Sequence, residues 1–264
     1  MTIFLRKGES HCFAHRVLGV VFDNDLTLYR EGEANSLHME AAIDAIRALI
    51  PDLQDRSKIE DLIQESRQEY GGSLEIFTYE YGVPAPDMRN EHYRQMIQKA
   101  NTATFFDMQT TPLAGLRQLK ENGIPTAIAT HGNLEWTAFT LEKTGIAALF
   151  DRETIVTKDD VPEGKSVSTK MFEEALDRLG APQTQDSKKR GIGYIMVEDT
   201  PKNLKNAKDL GMTTVLISPD FEPDADMPEY VDVVAKDVHT AIECILASNA
   251  PCQGYAMQPE CALG

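Results

Sequence analysis

The sequence alternates short apolar runs with helical patterns, and this alternation restricts its fold more than any other feature. Residues 17–22 form a continuous run rich in β-branched side chains, as found in a strand that is buried on both faces. Similar runs follow along the chain, at residues 125–129, 154–157, 194–197 and 213–217, with a weaker one at 231–234. Strands that alternate with helices in this way predict a doubly wound parallel sheet of the α/β class.

The helical patterns between these runs carry recognisable start and stop residues. Leucines at a spacing of three follow Pro112 and stop at Gly123. Ser168 is placed to cap a second helix that ends at Gly180, and Thr200 followed by Pro201 begins a third. Each of these residues suits its position through its hydrogen-bonding group or its backbone conformation.

Residues 30–107 interrupt the alternation, because they contain no convincing strand and several amphipathic helical patterns. They predict an all-helical insert after the first strand. The expected organisation is therefore an α/β core domain of residues 1–29 and 108–247, a helical domain of residues 30–107, and an unstructured tail of residues 248–264. We expect the insert to act as a lid with hinges near residues 28–33 and 106–112.

The charge of the chain limits its partners. It has 42 acidic and 26 basic residues and a formal net charge of −16, which repels nucleic-acid backbones and acidic membrane surfaces. No apolar run approaches the roughly 20 residues of a membrane-spanning helix, and the first residues lack the pattern of a signal peptide. We therefore expect a cytoplasmic protein, monomeric or homodimeric, that binds no nucleic-acid polymer and no membrane. A small phosphorylated substrate would need cations concentrated at its own site.

Polar residues follow the predicted strands at the edge where α/β sheets bind their ligands. Asp23 and Asp25 follow the first run, Thr130 follows the second, and Glu198 and Asp199 follow residues 194–197. Carboxylates brought together there would repel each other by several kcal/mol at an effective dielectric constant of about 20. A cation is therefore expected among them, and ligands that are all oxygen atoms favour Mg²⁺.

These segments resemble the four motifs of the haloacid dehalogenase superfamily. The resemblance rests on residues 22–28 (FDNDLTL), on Thr130, on a lysine ahead of a helix, and on residues 197–204 (VEDTPKNL). It extends from residue 17 to about residue 217. The helical insert resembles the C1-type cap of that superfamily, and residues 69–74 (EYGGSL) are similar to a segment of its pyrimidine 5′-nucleotidase-like subgroup.

The resemblance implies a role for each of these residues. Asp23 would attack phosphorus, and Asp25 would protonate the leaving alcohol and then activate water. Mg²⁺ would be held by the side chains of Asp23 and Asp199 and by the main-chain carbonyl of Asp25, with Glu198 as a further ligand or as a base behind them. Thr130 would hydrogen-bond a phosphoryl oxygen, and Lys165 would neutralise the negative charges of Asp23 and the phosphate.

Three assignments have competing interpretations. Lys170 rivals Lys165, because the Lys-Pro pair common in the family is absent here. His131, with Gly132 beside it, either contacts substrate or donates to a carbonyl within a tight turn. Tyr70 either stacks on a base or sugar of the substrate or packs within the helical bundle.

The function predicted from the sequence is a Mg²⁺-dependent phosphatase of a small soluble phosphomonoester, with a nucleoside monophosphate as one candidate. Two alternatives stay open. A phosphosugar mutase would share Asp23, Asp25, Glu198 and Asp199, and the same fold could serve as a binding module without catalysis.

Overall fold

A computed structural model describes residues 3–5, 13, 16–31, 35–70, 72–100, 105–222 and 226–249 of the 264-residue chain. Its main feature is a sheet in which all strands but one are parallel. The strands are β1 (Ile3–Leu5), β2 (Gly19–Phe22), β5 (Thr126–Ala129), β6 (Ile155–Val156), β7 (Tyr194–Glu198), β8 (Thr213–Ile217) and β9 (Val233–Ala235). Two short strands, β3 (Arg30–Glu31) and β4 (Phe106–Asp107), lie outside this sheet.

The strand order is β1-β9-β8-β7-β2-β5-β6. β2 lies between β7 and β5 and is parallel to both, with Phe22 opposite Val197 and Ile128. The carboxyl ends of these three strands therefore meet at one edge of the sheet, as the sequence predicted. β1 pairs antiparallel with β9 at the other side of the sheet.

Helices cover both faces of the sheet: α5 (Leu113–Glu121), α6 (Leu134–Lys143), α7 (Lys170–Arg178), α8 (Pro201–Asp209) and α9 (Val238–Asn249). The side chains of β2 alternate between two apolar clusters. Val20 and Phe22 belong to one cluster, with α5 and α9, and Val21 belongs to the other, with α7 and α8. Burial on both faces explains why this strand is a continuous apolar run.

The insert consists of α1 (Asn35–Leu49), α2 (Arg56–Glu69), α3 (Glu75–Tyr79) and α4 (Ala85–Ala100). It has an apolar cluster of its own, to which Ile43, Ile59, Ile63 and Phe77 contribute. Two short strands frame it, β3 (Arg30–Glu31) and β4 (Phe106–Asp107), which pair antiparallel with each other. The expectation that residues 30–107 lack strands is therefore wrong at both ends of the segment, because two-residue strands give no alternation to detect.

An aromatic cluster joins the insert to the sheet domain. Trp136 of α6 is fully buried, and its ring stacks on that of Tyr93 in α4 with centroids 5.7 Å apart. Polar contacts flank this stack: Asn133 Nδ2 donates to Asn90 Oδ1 at 3.0 Å, and Arg89 pairs with Asp159. Helix α4 is thus docked against the core along α6.

Three further details differ from the sequence-based expectations. α7 begins after Thr169 instead of Ser168, whose hydroxyl oxygen is buried without a hydrogen bond to any described residue. The tail predicted from residue 248 is wrong at its start, because α9 extends to Asn249; residues 250–264 lie outside the described residues. β1 was not predicted, since three residues are too few to establish a pattern.

No helix in the described ranges has the length and apolar content needed to cross a membrane.

Candidate active site

The loop after β2 carries Asp23 and Asp25 to the carboxyl edge of the sheet. The Asp23 amide donates to the Val197 carbonyl at 2.9 Å, and this extends the pairing of β2 with β7 by one residue. The loop then turns, with the Leu28 amide donating to the Asn24 carbonyl and Leu26 at a φ of +60°. A left-handed conformation costs a residue other than glycine on the order of 1–2 kcal/mol, so the loop is held in this shape by its surroundings.

Lys165 forms the central ion pairs of the site. Its ammonium lies 2.6 Å from Asp23 Oδ1 and 2.5 Å from Glu198 Oε2, and its side chain is 1% exposed. The loop ahead of α7 is fixed on both sides of this residue. The Lys165 amide donates to His131 Nε2 at 2.8 Å, and its carbonyl accepts from Asn206 Nδ2 at 2.7 Å.

The carboxylates of Asp23, Glu198 and Asp199 offer oxygen atoms that all lie within 4.8 Å of one another. Burial and the charge of Glu198 raise the pKa of Asp23 well above its ordinary value, against the opposing effect of Lys165. The same two causes raise the pKa of Asp199 to about 7. Lys165 alone does not balance the negative charge of the three. This all-oxygen group suits a hard divalent cation such as Mg²⁺.

Glu198 is the most constrained of these acids. It is fully buried, with Oε2 bonded to Lys165 and Oε1 accepting from the Thr200 amide at 3.1 Å. Since both oxygens already have partners, Glu198 fixes Lys165 and the start of α8 whether or not it also contacts a cation. Thr200 occupies the position before α8, although its hydroxyl makes no capping bond.

The Asp25 side chain lies outside the group of three and has different partners. Its Oδ1 accepts from the Tyr29 hydroxyl and, at 2.7 Å, from the Trp136 indole Nε1. Burial and the charge of Asp25 raise the pKa of Tyr29 well above its ordinary value, so this hydroxyl keeps its proton and acts as a donor. Thr130 Oγ1 lies 3.4 Å from the other oxygen, Oδ2.

Thr130 and Gly132 lie at the end of β5. The Gly132 amide donates to Thr130 Oγ1 at 3.0 Å. A Cβ atom at Gly132 would lie 3.2 Å from Cδ1 of Trp136, which is tight for packed carbon atoms. The absence of a side chain at position 132 therefore lets Trp136 approach the loop and reach Asp25.

His131 accepts a hydrogen bond at Nε2 from the Lys165 amide, whereas the sequence suggested a donor to a carbonyl or a substrate contact. Burial, and then the positive charge of Lys165, lower the pKa of His131 to about 2. The ring is therefore neutral, with its proton on Nδ1. His131 also lines the cleft beside Asp23, so this contact anchors the Lys165 loop at the edge of the cleft.

The structure does not bring Lys170 or Tyr70 to the carboxylates. Lys170 is exposed at the start of α7 and pairs with Glu163. The Tyr70 ring lies against Tyr79 with centroids 5.1 Å apart, and its hydroxyl donates to Glu80 at 2.8 Å. Gly71, beside it in the segment singled out from the sequence, lies outside the described residues.

Tyr29 and Trp136 were missed as site residues. Both residues lie outside the motifs on which the predicted site rests. A weak signal existed for each: Tyr29 follows Asp25 by four residues in a tight loop, and Trp136 is the third residue after Asn133, whose side chain caps α6. Neither spacing shows that the two polar groups converge on one carboxylate oxygen.

A small cleft of about 180 Å³ opens above these groups. Its lining residues are Asp23, Asp25, Leu26, His131, Lys165, Glu198, Asp199, Thr200 and Asn203. Pockets that enclose a whole drug-sized ligand usually measure about 300–1,000 Å³. The cleft therefore suits one small charged group, and the rest of a larger ligand would extend beyond it.

Comparison with known proteins gives one family and a set of similar folds. Residues 17–211 match the family described as haloacid dehalogenase-like hydrolase. No curated protein matches the sequence. CbbY from Rhodobacter sphaeroides, solved in complex with phosphate, superposes with a TM-score of 0.59 and 20% identity, over 84% of this chain and 95% of that one.

Two other solved structures are similar over comparable lengths. A HAD phosphatase from Thermococcus onnurineus has a TM-score of 0.55 and 20% identity, over 85% of this chain and 96% of its own. The L-2-haloacid dehalogenase RSc1362 has a TM-score of 0.53 and 17% identity, over 88% of this chain and 99% of its own. Since these proteins are described by different reactions, the shared fold alone does not identify the reaction of this chain.

Proposed function

The chain belongs to the haloacid dehalogenase-like hydrolases, and from this we propose that it hydrolyses a small phosphomonoester through an aspartyl-phosphate on Asp23. One observation carries the proposal: the Asp23 carboxylate is buried against the Lys165 ammonium and beside two further acids, at the carboxyl edge of the sheet. A nucleophile, a cation for the phosphoryl charge and a metal-binding group then share one cleft.

In the first step, Asp23 attacks phosphorus. A bond forms between its carboxylate oxygen and phosphorus, and the bond from phosphorus to the leaving oxygen breaks, with the electron pair staying on that oxygen. Asp25 gives its proton to this oxygen, so that the product leaves as a neutral alcohol. The ammonium of Lys165 and the hydroxyl of Thr130 stabilise the charge that builds up on the phosphoryl oxygens.

In the second step, Asp25 accepts a proton from water. The water oxygen bonds to phosphorus, the bond from phosphorus to Asp23 breaks, and phosphate is released. Both aspartates return to their starting states, so protons and charges balance over the cycle.

Mg²⁺ fits this site because the three crowded carboxylates have an excess of negative charge beside Lys165. Asp23 and Asp199 would hold the ion with the main-chain carbonyl of Asp25, and Glu198 would act mainly through Lys165. When bound, the ion would add positive charge next to the phosphoryl group.

We propose that α1–α4 form a C1-type cap over this cleft. The cleft has room for the phosphoryl end of a substrate, so selection of the leaving group would fall to the insert. The similarity of residues 69–74 to the pyrimidine 5′-nucleotidase-like subgroup makes nucleoside monophosphates the first substrates to test, and Tyr70 would then act at the outer end of the ligand.

The decisive experiment is a panel of phosphate esters with added Mg²⁺, including nucleoside monophosphates, sugar phosphates and phosphoglycolate. We expect release of inorganic phosphate from at least one ester, and none from Asp23→Asn. A phosphoryl group that stays on the product would indicate a mutase instead. Absence of turnover with every ester would refute the proposal and favour a binding module.

A further inference from the structure

The Asp25 carboxylate has an uneven set of hydrogen bonds. Oδ1 accepts from the Tyr29 hydroxyl and from Trp136 Nε1, with the Asn24 side-chain amide 3.4 Å away. Oδ2 has Thr130 Oγ1 at 3.4 Å, which is long for a hydrogen bond between oxygen atoms. A carboxylate oxygen has about two lone-pair positions, so Tyr29 and Trp136 fill those of Oδ1.

This unevenness selects one oxygen for proton transfer. A carboxylic acid with its proton on Oδ2 keeps a carbonyl at Oδ1, which still accepts two hydrogen bonds. A proton on Oδ1 would compete with both donors. We propose that Tyr29 and Trp136 are positioning residues that clamp Oδ1 of Asp25 and thereby direct Oδ2 to exchange the proton with substrate and water. The inference rests on the proposed function, because it takes Asp25 as the proton donor.

The clamp also connects the acid to the insert. The Trp136 ring stacks on Tyr93 of α4 and meets Phe105 edge to face at 5.9 Å. Tyr29 is fully buried, and its ring contacts Phe106 of β4 at 5.1 Å. Aromatic residues from the insert and its linker therefore fix the rings of both donors. Contacts with the insert and its linker therefore help to hold both donors against Asp25.

The test uses the difference between good and poor leaving groups. A nitrophenolate leaves without a proton, whereas an alkoxide needs one. The ratio kcat/KM is measured for p-nitrophenyl phosphate and for an alkyl phosphate accepted by the wild type. This ratio covers the steps up to departure of the leaving group and omits hydrolysis of the aspartyl-phosphate, which both substrates share.

Trp136→Phe and Tyr29→Phe each remove one donor and keep an aromatic ring. General acid catalysis contributes about 10²–10⁴ in rate, so loss of part of the orientation should lower kcat/KM for the alkyl ester by about tenfold or more. The value for p-nitrophenyl phosphate should change by less than about threefold. If one variant folds poorly, the other still decides the result.

Phe139→Leu is the matched control. Its ring stacks on Trp136 at 5.7 Å without a contact to Asp25, so the variant disturbs the same packing and leaves both donors in place. We expect it to lower stability without a preference between the two esters. The inference would be overturned if the donor variants lost kcat/KM equally for both esters, or lost none. It would also be overturned if Phe139→Leu lost kcat/KM selectively for the alkyl ester.

A spectroscopic measurement tests the contact without turnover. Trp136 is the single tryptophan of the chain, so its indole N–H gives one resonance in a ¹H–¹⁵N spectrum. We expect this proton to move upfield in Asp25→Ala, because the indole N–H loses its hydrogen-bond acceptor Oδ1. An unchanged resonance would refute the contact. A wild type inactive on both esters would refute the proposed function, whereas an active wild type with unselective variants would refute the clamp alone.

Discussion

Lys165→Met removes the ammonium that Asp23 and Glu198 share, and it is the perturbation with the largest expected effect. Unit charges 2.6 Å apart attract each other by about 6 kcal/mol at an effective dielectric constant of about 20. Much of this attraction offsets the cost of burying the charges. Removal of one partner leaves the buried carboxylates uncompensated, which costs about 3–5 kcal/mol of unfolding free energy.

Urea denaturation of the metal-free protein, followed by circular dichroism at pH 8 and pH 5, measures this loss. Lys165 lowers the pKa of Asp23 and of Asp199 in the wild type, so in the variant burial and repulsion by Glu198 hold both pKa values further above their unfolded values. The folded variant then binds more protons than the unfolded chain, so its stability rises as the pH falls. We therefore expect the deficit relative to wild type to be smaller at pH 5. Phosphate release should fall by a factor of about 10²–10³.

Lys170→Met is the matched control, because it removes the same charge from an exposed lysine paired with Glu163. Its unfolding free energy and its turnover should equal those of the wild type. The reasoning fails if Lys165→Met lowers the free energy of unfolding by less than about 1 kcal/mol, or if its loss relative to wild type is larger at pH 5 than at pH 8. It also fails if Lys170→Met loses as much stability as Lys165→Met.

Four other outcomes are expected. Asp23→Asn should keep its circular dichroism spectrum and lose phosphate release, because an amide cannot carry the phosphoryl group; activity within tenfold of wild type would exclude Asp23 as the nucleophile. EDTA should stop turnover and Mg²⁺ should restore it, with Ca²⁺ a poor substitute because it prefers longer bonds and more ligands; full activity in EDTA would contradict this. Burial, and then the neighbouring charge of His38, lower the pKa of His92 to about 4, so the unfolded chain takes up this proton first and the contribution of His92 to stability falls between pH 6.5 and 4; the melting temperature of His92→Gln should therefore rise relative to that of the wild type as the pH falls over this range, and a constant difference would refute the shift. Tyr70→Ala should alter relative kcat/KM among leaving groups without changing the Mg²⁺ requirement; a uniform loss with lower stability would instead assign Tyr70 to packing.

The parallel sheet could be predicted from the sequence because its central strands are buried on both faces. Residues 17–22 and 194–197 are apolar without interruption, and residues 213–217 consist of β-branched residues and one leucine; such runs between helices are typical of buried parallel strands. The shorter elements could not be predicted in this way. β3, β4 and the five-residue helix α3 are too short to show a period, and they form because neighbouring elements supply their partners.

The order and direction of the strands made it predictable which site residues lie close together. Parallel strands end at one edge, so the residues at the carboxyl ends of β2 and β7 had to lie close together, and Asp23 and Glu198 do. Side-chain direction was not predictable. Asp25 follows the same strand as Asp23, yet its carboxylate is bonded by Tyr29 and Trp136, because the packing of α6 against the insert brings an indole N–H within reach.

The paired linkers add a constraint that the sequence did not reveal. Hinges were expected near residues 28–33 and 106–112, as two separate connections. In the structure, Arg30 pairs with Asp107 across the β3–β4 ribbon, and the Arg30 amide also donates to Thr110 Oγ1 at 2.9 Å. Hydrogen bonds thus join the two connections, so a movement of the insert would carry both together. Because Tyr29 directly precedes this ribbon, the same movement would shift a donor to Asp25, and access to the cleft would be coupled to orientation of the acid.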